Sequence, residues 1–136
     1  MASFRSQVRM ACEPGVVWEL VADPVRIAEW FPGVESATVE GTTRTMTLRS
    51  GLPLVEEVVN IDHRLRRFQY RIVGPLPVDH HLGTIDVIDD PVGCLVVYST
   101  EIIPEPMGFV IDGATAAALD ELRRLVESPT SLTGSH

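Results

Sequence analysis

The sequence predicts an α+β domain: an antiparallel sheet of about seven strongly curved strands closed over by one long C-terminal helix, with two short helices after the first strand. Three observations predict it. Apolar residues recur with period two from Val34 to Ile103, broken only by short turn-forming stretches. The segment after Pro104 and Pro106 changes to helical periodicity. Between the first strand and the meander lie two proline-led stretches long enough only for short helices.

The elements follow in order. Phe4, Val8 and Met10 alternate with Arg5, Gln7 and Arg9, a half-buried strand. Glu13-Pro14-Gly15 breaks it, and Pro14 suits the first turn of a helix over 15–22 with Val17, Leu20 and Val21 on one face. Asp23 caps a second helix from Pro24 to Trp30, ended by Phe31-Pro32-Gly33. Strands are predicted over 34–40, 43–49, 54–62, 67–73, 79–89 and 93–102. Their links are short, which makes an antiparallel meander. The last helix spans 107–127, with an inward stripe of Val110/Ile111, Ala114, Ala117/Ala118, Leu122 and Leu125. Its centre is small, and alanines facing a concave sheet leave room for a cavity. The domain is set at residues 1–127 and a flexible tail at 128–136.

Composition excludes several functions. The 136 residues carry a net charge of −8, and all eleven basic residues are arginine. An acidic surface repels phosphate backbones, so nucleic acid is not expected as a partner. No apolar run reaches the roughly 20 residues of a membrane span, and no signal peptide opens the chain, so the expectation is a cytoplasmic protein with no membrane insertion. Cys12 and Cys94 are too few for a disulfide scaffold and read as small buried residues. Neighbouring His80 and His81 point to opposite faces of a strand and cannot share an ion. No nucleophile, phosphate-loop or dinucleotide motif occurs, and no metal or cofactor is expected.

Strand alternation sorts the faces. The inward sets are His81, Gly83, Ile85 and Val87 on 79–89, and Phe68, Tyr70 and Ile72 on 67–73. Gly83 would leave space. On 93–102 the pattern allows either Cys94/Val96/Tyr98 or Leu95/Val97/Ser99/Glu101. On 54–62 it allows either Glu56/Val58/Asn60 or Val55/Glu57/Val59/Ile61. Arg44 and Arg49 read as outward-facing or at a strand end. His81 could hydrogen-bond a ligand or act as a base, and Tyr70 or Tyr98 could donate to a carbonyl.

The order of elements resembles the helix-grip fold of the START/Bet v 1 superfamily, also called SRPBCC or polyketide cyclase/dehydrase. The segment Val17–Val34, "VWELVADPVRIAEWFPGV", is similar to that family's opening. Ser50-Gly51-Leu52-Pro53 is similar to the gate loop of the plant abscisic acid receptors, and His80-His81-Leu82 stands where those proteins carry a latch. The resemblance implies that Leu52 and Leu54 cap a ligand cavity, with Gly51 as a hinge and Pro53 restricting it. It favours Glu56 as the polar cavity residue. The receptors' carboxylate-binding lysine has no counterpart here, so abscisic acid is not the expected ligand.

The functional expectation is binding of a small, mostly apolar ligand (lipid, isoprenoid or polyketide-like) between sheet and helix. Its contacts would come from Leu52, Pro53, Glu56, Tyr70, His81, Leu82, Ile85, Tyr98, Ala114, Ala117 and Ala118, under a gate of Ser50–Pro53. A homodimer or a protein partner at the gate is left open. Two alternatives stand beside it: a cyclase/aromatase-type enzyme with His81 as base, and an interaction module without a ligand.

Overall fold

Strands β1 (Ala2–Met10), β2 (Val34–Glu40), β3 (Thr43–Leu48), β4 (Pro53–Asp62), β5 (Arg67–Gly74), β6 (His80–Asp90) and β7 (Gly93–Ile103) form one antiparallel sheet in a computed structural model that describes residues 1–128. The order across the sheet is β1-β7-β6-β5-β4-β3-β2. The meander therefore runs β2 to β7 without a crossover, and β1 closes the far edge against β7. Helix α1 (Pro14–Ala22), a 3-10 turn (Pro24–Arg26) and helix α2 (Ile27–Trp30) follow β1, and helix α3 (Glu105–Glu127) ends the fold. Of the tail expected at 128–136, all but Ser128 lies outside the described residues. Among the described residues, no helix is long and apolar enough to cross a membrane.

Local chemistry explains the boundaries. Pro14 occupies the first turn of α1, where a backbone N–H has no helical partner in any case. The Asp23 carboxylate accepts from the Val25 N–H at 3.3 Å and caps the 3-10 turn. Trp18 is buried, and its Nε1 donates to His63 Nδ1 at 3.1 Å, fixing α1 to the β4–β5 turn. Helix α3 begins at Glu105, earlier than the sequence suggests, because Pro106 sits in its first turn and does not interrupt it.

The sheet faces resolve the alternatives. Cys94, Val96 and Tyr98 point inward on β7, together with Thr100 and Ile102. On β4 each alternative holds for part of the strand. Leu54 and Glu56 are buried, but the register against β5 shifts between Val58 and Asn60, and Ile61 then pairs with Phe68 on the inner face. A bulge of this kind breaks the period of two. Cys94 is fully buried, which pushes its thiol up to about 12, while Cys12 is only partly buried.

Two expectations change. The buried stripe of α3 is Gly108, Thr115, Ala118, Leu119, Leu122 and Val126, a face rotated from the predicted one, so Ala117 is exposed. Gly108 allows close approach to β1: a Cβ there would lie 2.0 Å from the Phe4 ring. Gly83 leaves no void either. A Cβ on it would lie 2.5 Å from the Tyr70 ring, so the glycine makes room for a neighbouring side chain. Gly83→Ala should displace Tyr70 and lower stability by about 1–3 kcal/mol, read as a lower urea midpoint at unchanged slope.

Candidate functional site

The site is built on two facing strand positions. On β3, threonines 43, 45 and 47 alternate with Arg44 and Met46, and the second set points inward. On β4, Glu56 stands directly opposite Arg44 in the register. Both are buried, at 2% and 4% exposure. Arg44 Nε and Nη2 donate to the same carboxylate oxygen, Glu56 Oε1, at 3.0 and 2.6 Å. Arg44 Nη1 donates to the Pro24 carbonyl at 3.1 Å. The rings of Phe68 and Tyr70 each lie 5.3 Å from the guanidinium carbon, in cation–π contact. The outward reading of Arg44 is thus overturned: the guanidinium is held by a partner on the next strand.

Burial raises the Glu56 carboxyl above its ordinary range, opposed by Arg44. Burial also raises Tyr70 and Tyr98, whose hydroxyls share a short hydrogen bond, so both remain protonated phenols. Tyr98 lies beneath Tyr70 in the core.

His81 sits beside Tyr70, ring centroids 5.4 Å apart, at 2% exposure. Its Nδ1 accepts from the Ile72 N–H at 3.0 Å. Nε2 therefore carries the proton of the neutral ring, and it is buried without a partner among the described residues. Burial, and secondarily the nearby His80, lower its pKa to about 4.

Above this layer a cavity of about 230 Å³ opens between sheet and helix. Ile27, Phe31, Gly33 and Val34 form one wall, Met46, Leu48, Leu54 and Ile72 the sheet side, and Leu76 part of the rim. Helix α3 contributes Met107, Val110, Ile111, Ala114 and Thr115. Glu56, Tyr70 and Thr115 are the polar side chains among the lining, and Thr115 Oγ1 is bonded to the Asp112 carbonyl at 3.0 Å.

Of the expected contacts, Glu56, Tyr70 and Ala114 come together here, and Leu54 joins the wall. The others lie elsewhere. Leu52 is 60% exposed and Pro53 opens β4 at the surface. Leu82 is on the outer face of β6 because residues next to the inward His81 must alternate. Ile85 and Ala118 are sealed in the core, and Ala117 faces away from it. His81 is behind Tyr70, outside the lining. Ser50 and Gly51 make a tight turn in which Gly51 N–H donates to the Leu48 carbonyl at 2.8 Å, with Gly51 at φ +90°. Arg49 ties that turn to the α2–β2 loop through the Pro32 and Gly33 carbonyls, at 2.6 and 3.0 Å. The run Thr43-Arg44-Thr45-Met46-Thr47 was the available signal for Arg44: three threonines on one face leave arginine on the other.

Residues 1–127 match the family described as polyketide cyclase/dehydrase and lipid transport. No curated protein matches the chain. Similar solved structures include the protein XoxI from Bacillus cereus, at 23% identity and TM-score 0.87, covering 100% of this chain and 99% of that one. A Thermobifida fusca protein solved by NMR is 30% identical, with TM-score 0.78 and coverage of 91% and 92%. Norcoclaurine synthase from Thalictrum flavum, solved with dopamine and hydroxybenzaldehyde, is 22% identical, with TM-score 0.73 and coverage of 92% and 86%.

Two predictions follow from the geometry. Arg44→Leu strands a buried carboxylate and should cost about 3–5 kcal/mol, most of it recovered in Arg44→Leu/Glu56→Leu, as chemical denaturation of the four-member cycle would show. For His81 the folded pKa of about 4 lies below the usual 6.5, so the unfolded chain binds the proton first. Its contribution is present above pH 6.5 and is lost as pH falls towards 4. The stability of His81→Phe, subtracted from that of the natural protein, should show this slope in that window and none above it.

Proposed function

The chain belongs to the polyketide cyclase/dehydrase and lipid transport family, and from that premise we propose that it binds one small, mostly apolar molecule between the sheet and α3. The observation that carries this reading is the apolar-walled cavity of about 230 Å³. A dry apolar cavity of about 150 Å³ takes benzene, so this one suits a body of one or two rings and is too small to bury a sterol. The norcoclaurine synthase structure, with dopamine and hydroxybenzaldehyde, fits the same size class. Burying roughly 250 Å² of ligand surface is worth about 6 kcal/mol before entropy costs, which points to weak-to-micromolar binding unless polar contacts add to it.

The Ser50–Pro53 gate belongs to the same proposal. Leu48 and Leu54, on either side of the turn, line the mouth, and closure would carry the exposed Leu52 over it. Arg49, bonded to the facing loop, would be the fixed base of that movement.

One observation favours a second reading, a cyclase or dehydratase. Glu56 is a carboxyl of raised pKa that shares the lining with Tyr70, a pairing of groups that can move a proton at a ligand carbonyl. The base in that reading is Glu56; His81 has Nδ1 committed to Ile72 and is not part of the cavity lining. A pure interaction module draws no support from a cavity of this kind.

The test uses 1-aminonaphthalene, a neutral two-ring fluorescent probe. Its emission should rise on binding the natural protein. Ala114→Trp, an exposed position at the mouth, should reduce that affinity by about tenfold or more while stability changes by less than about 1 kcal/mol. Leu82→Ala, on the outer face, should bind as before. Equal binding by Ala114→Trp would remove the cavity as the site.

A further inference from the structure

We propose that the cavity selects a ligand headed by a hydroxyl group, an alcohol or phenol, and rejects the carboxylate of the same shape. This rests on the binding reading above and assigns its head-group chemistry.

The first part of the argument is what Arg44 cannot do. A buried arginine beside an apolar cavity suggests an anion site. Here the guanidinium spends Nε and Nη2 on Glu56 and Nη1 on the Pro24 carbonyl, and the Phe68 and Tyr70 rings contact it. It is not part of the lining, which holds no arginine or histidine. A carboxylate entering the cavity would lose its hydration, find no cation, and face Glu56.

The second part is what the cavity offers. Both Arg44 bonds fall on Glu56 Oε1, and among the described residues Oε2 accepts no hydrogen bond. Glu56 lines the cavity, so Oε2 is an acceptor awaiting a donor. The Tyr70–Tyr98 pair holds two hydroxyl protons and uses one between them. Tyr98 is sealed in the core at 1% exposure, with no other bonding partner among the described residues. If Tyr70 donated, the Tyr98 proton would be stranded there. The arrangement that strands nothing in the core has Tyr98 donating to the Tyr70 oxygen, which leaves the O–H of Tyr70, a residue of the cavity lining, for a ligand. The floor thus carries one acceptor, Glu56 Oε2, and one donor, the Tyr70 hydroxyl. Arg44 links the two residues: it bonds Glu56 and its guanidinium carbon lies 5.3 Å from the Tyr70 ring centroid.

A hydroxyl group answers both, donating to Glu56 and accepting from Tyr70. A carbonyl answers only Tyr70. An ammonium answers only Glu56 and gives up its hydration in an apolar chamber. A hydrocarbon leaves both unpaired.

The experiment is calorimetric titration of the natural protein with five compounds on one frame: p-cymene, cuminyl alcohol, cuminaldehyde, cuminylamine and cuminate. Cuminyl alcohol should bind about tenfold or more tighter than p-cymene, and cuminate should not bind detectably. Tyr70→Phe keeps the ring over Arg44 and removes the hydroxyl, together with its bond to Tyr98. It should bring the alcohol's affinity close to that of p-cymene measured on the same variant. Equal affinity for p-cymene and the alcohol would overturn the head-group assignment and leave the cavity reading standing. Preference for cuminate, cuminylamine or cuminaldehyde would also overturn it, as would an alcohol preference unaffected by Tyr70→Phe. Failure of all five while 1-aminonaphthalene binds overturns the assignment alone; failure of the probe as well removes the cavity reading beneath it.

Discussion

The buried pair of Arg44 and Glu56 is the constraint around which this fold is arranged. Taking two opposite charges out of water costs several kcal/mol per ion, and attraction offsets that only where the geometry is good and the remaining polar atoms are satisfied. The protein meets the condition with neighbours from three places: the opposing strand, the two aromatic rings of β5, and the carbonyl of Pro24 in the 3-10 turn. The pair also specifies register. A slip of one residue between β3 and β4 would turn one charge to solvent and leave the other alone in the core, an error far more costly than a misplaced threonine. Helical turn, β3, β4 and β5 are thereby tied at one point.

The cavity sits where that tie ends. Below it, the core is filled by Phe68, Tyr70, Ile85 and Tyr98. Above it, α3 presents Ala114, Thr115 and, nearer its start, Ile111 to the cavity. The filled half of the helix begins at Ala118, where Leu119, Leu122 and Val126 pack against the strands. One helix thus does two jobs along its length, and the polar floor marks the division.

Much of this was legible in the chain and some was not, for identifiable reasons. The meander, its turn positions and the inner faces of β5 and β6 follow from a period of two that short turns do not disturb. The inner face of β4 could not be read from period alone, because the shift between Val58 and Asn60 changes the phase within the strand. The stripe of α3 was ambiguous where it is built from alanine, which suits either face. Gly83 was read as space because the sequence shows the missing side chain and not the Tyr70 ring that occupies its place. Arg44 was missed because a charge on a strand is assumed solvated until its partner is known, and that partner lies on another strand. Glu56 came from family resemblance, and the cavity from the small helix centre, although the alanine that lines it is Ala114 alone.

The ladder between β5 and β6 ends at Tyr70 and Gly83. Beyond that point the Ile72 N–H turns to the His81 imidazole. A stretch of β5 in the middle of a seven-stranded sheet is therefore held on its β6 side by a side chain, and its release breaks no backbone pair. Opening there costs less than opening the sheet. The exchange rate of the Ile72 amide with solvent deuterium would accordingly follow the motion of one imidazole ring, and not the unfolding of the domain.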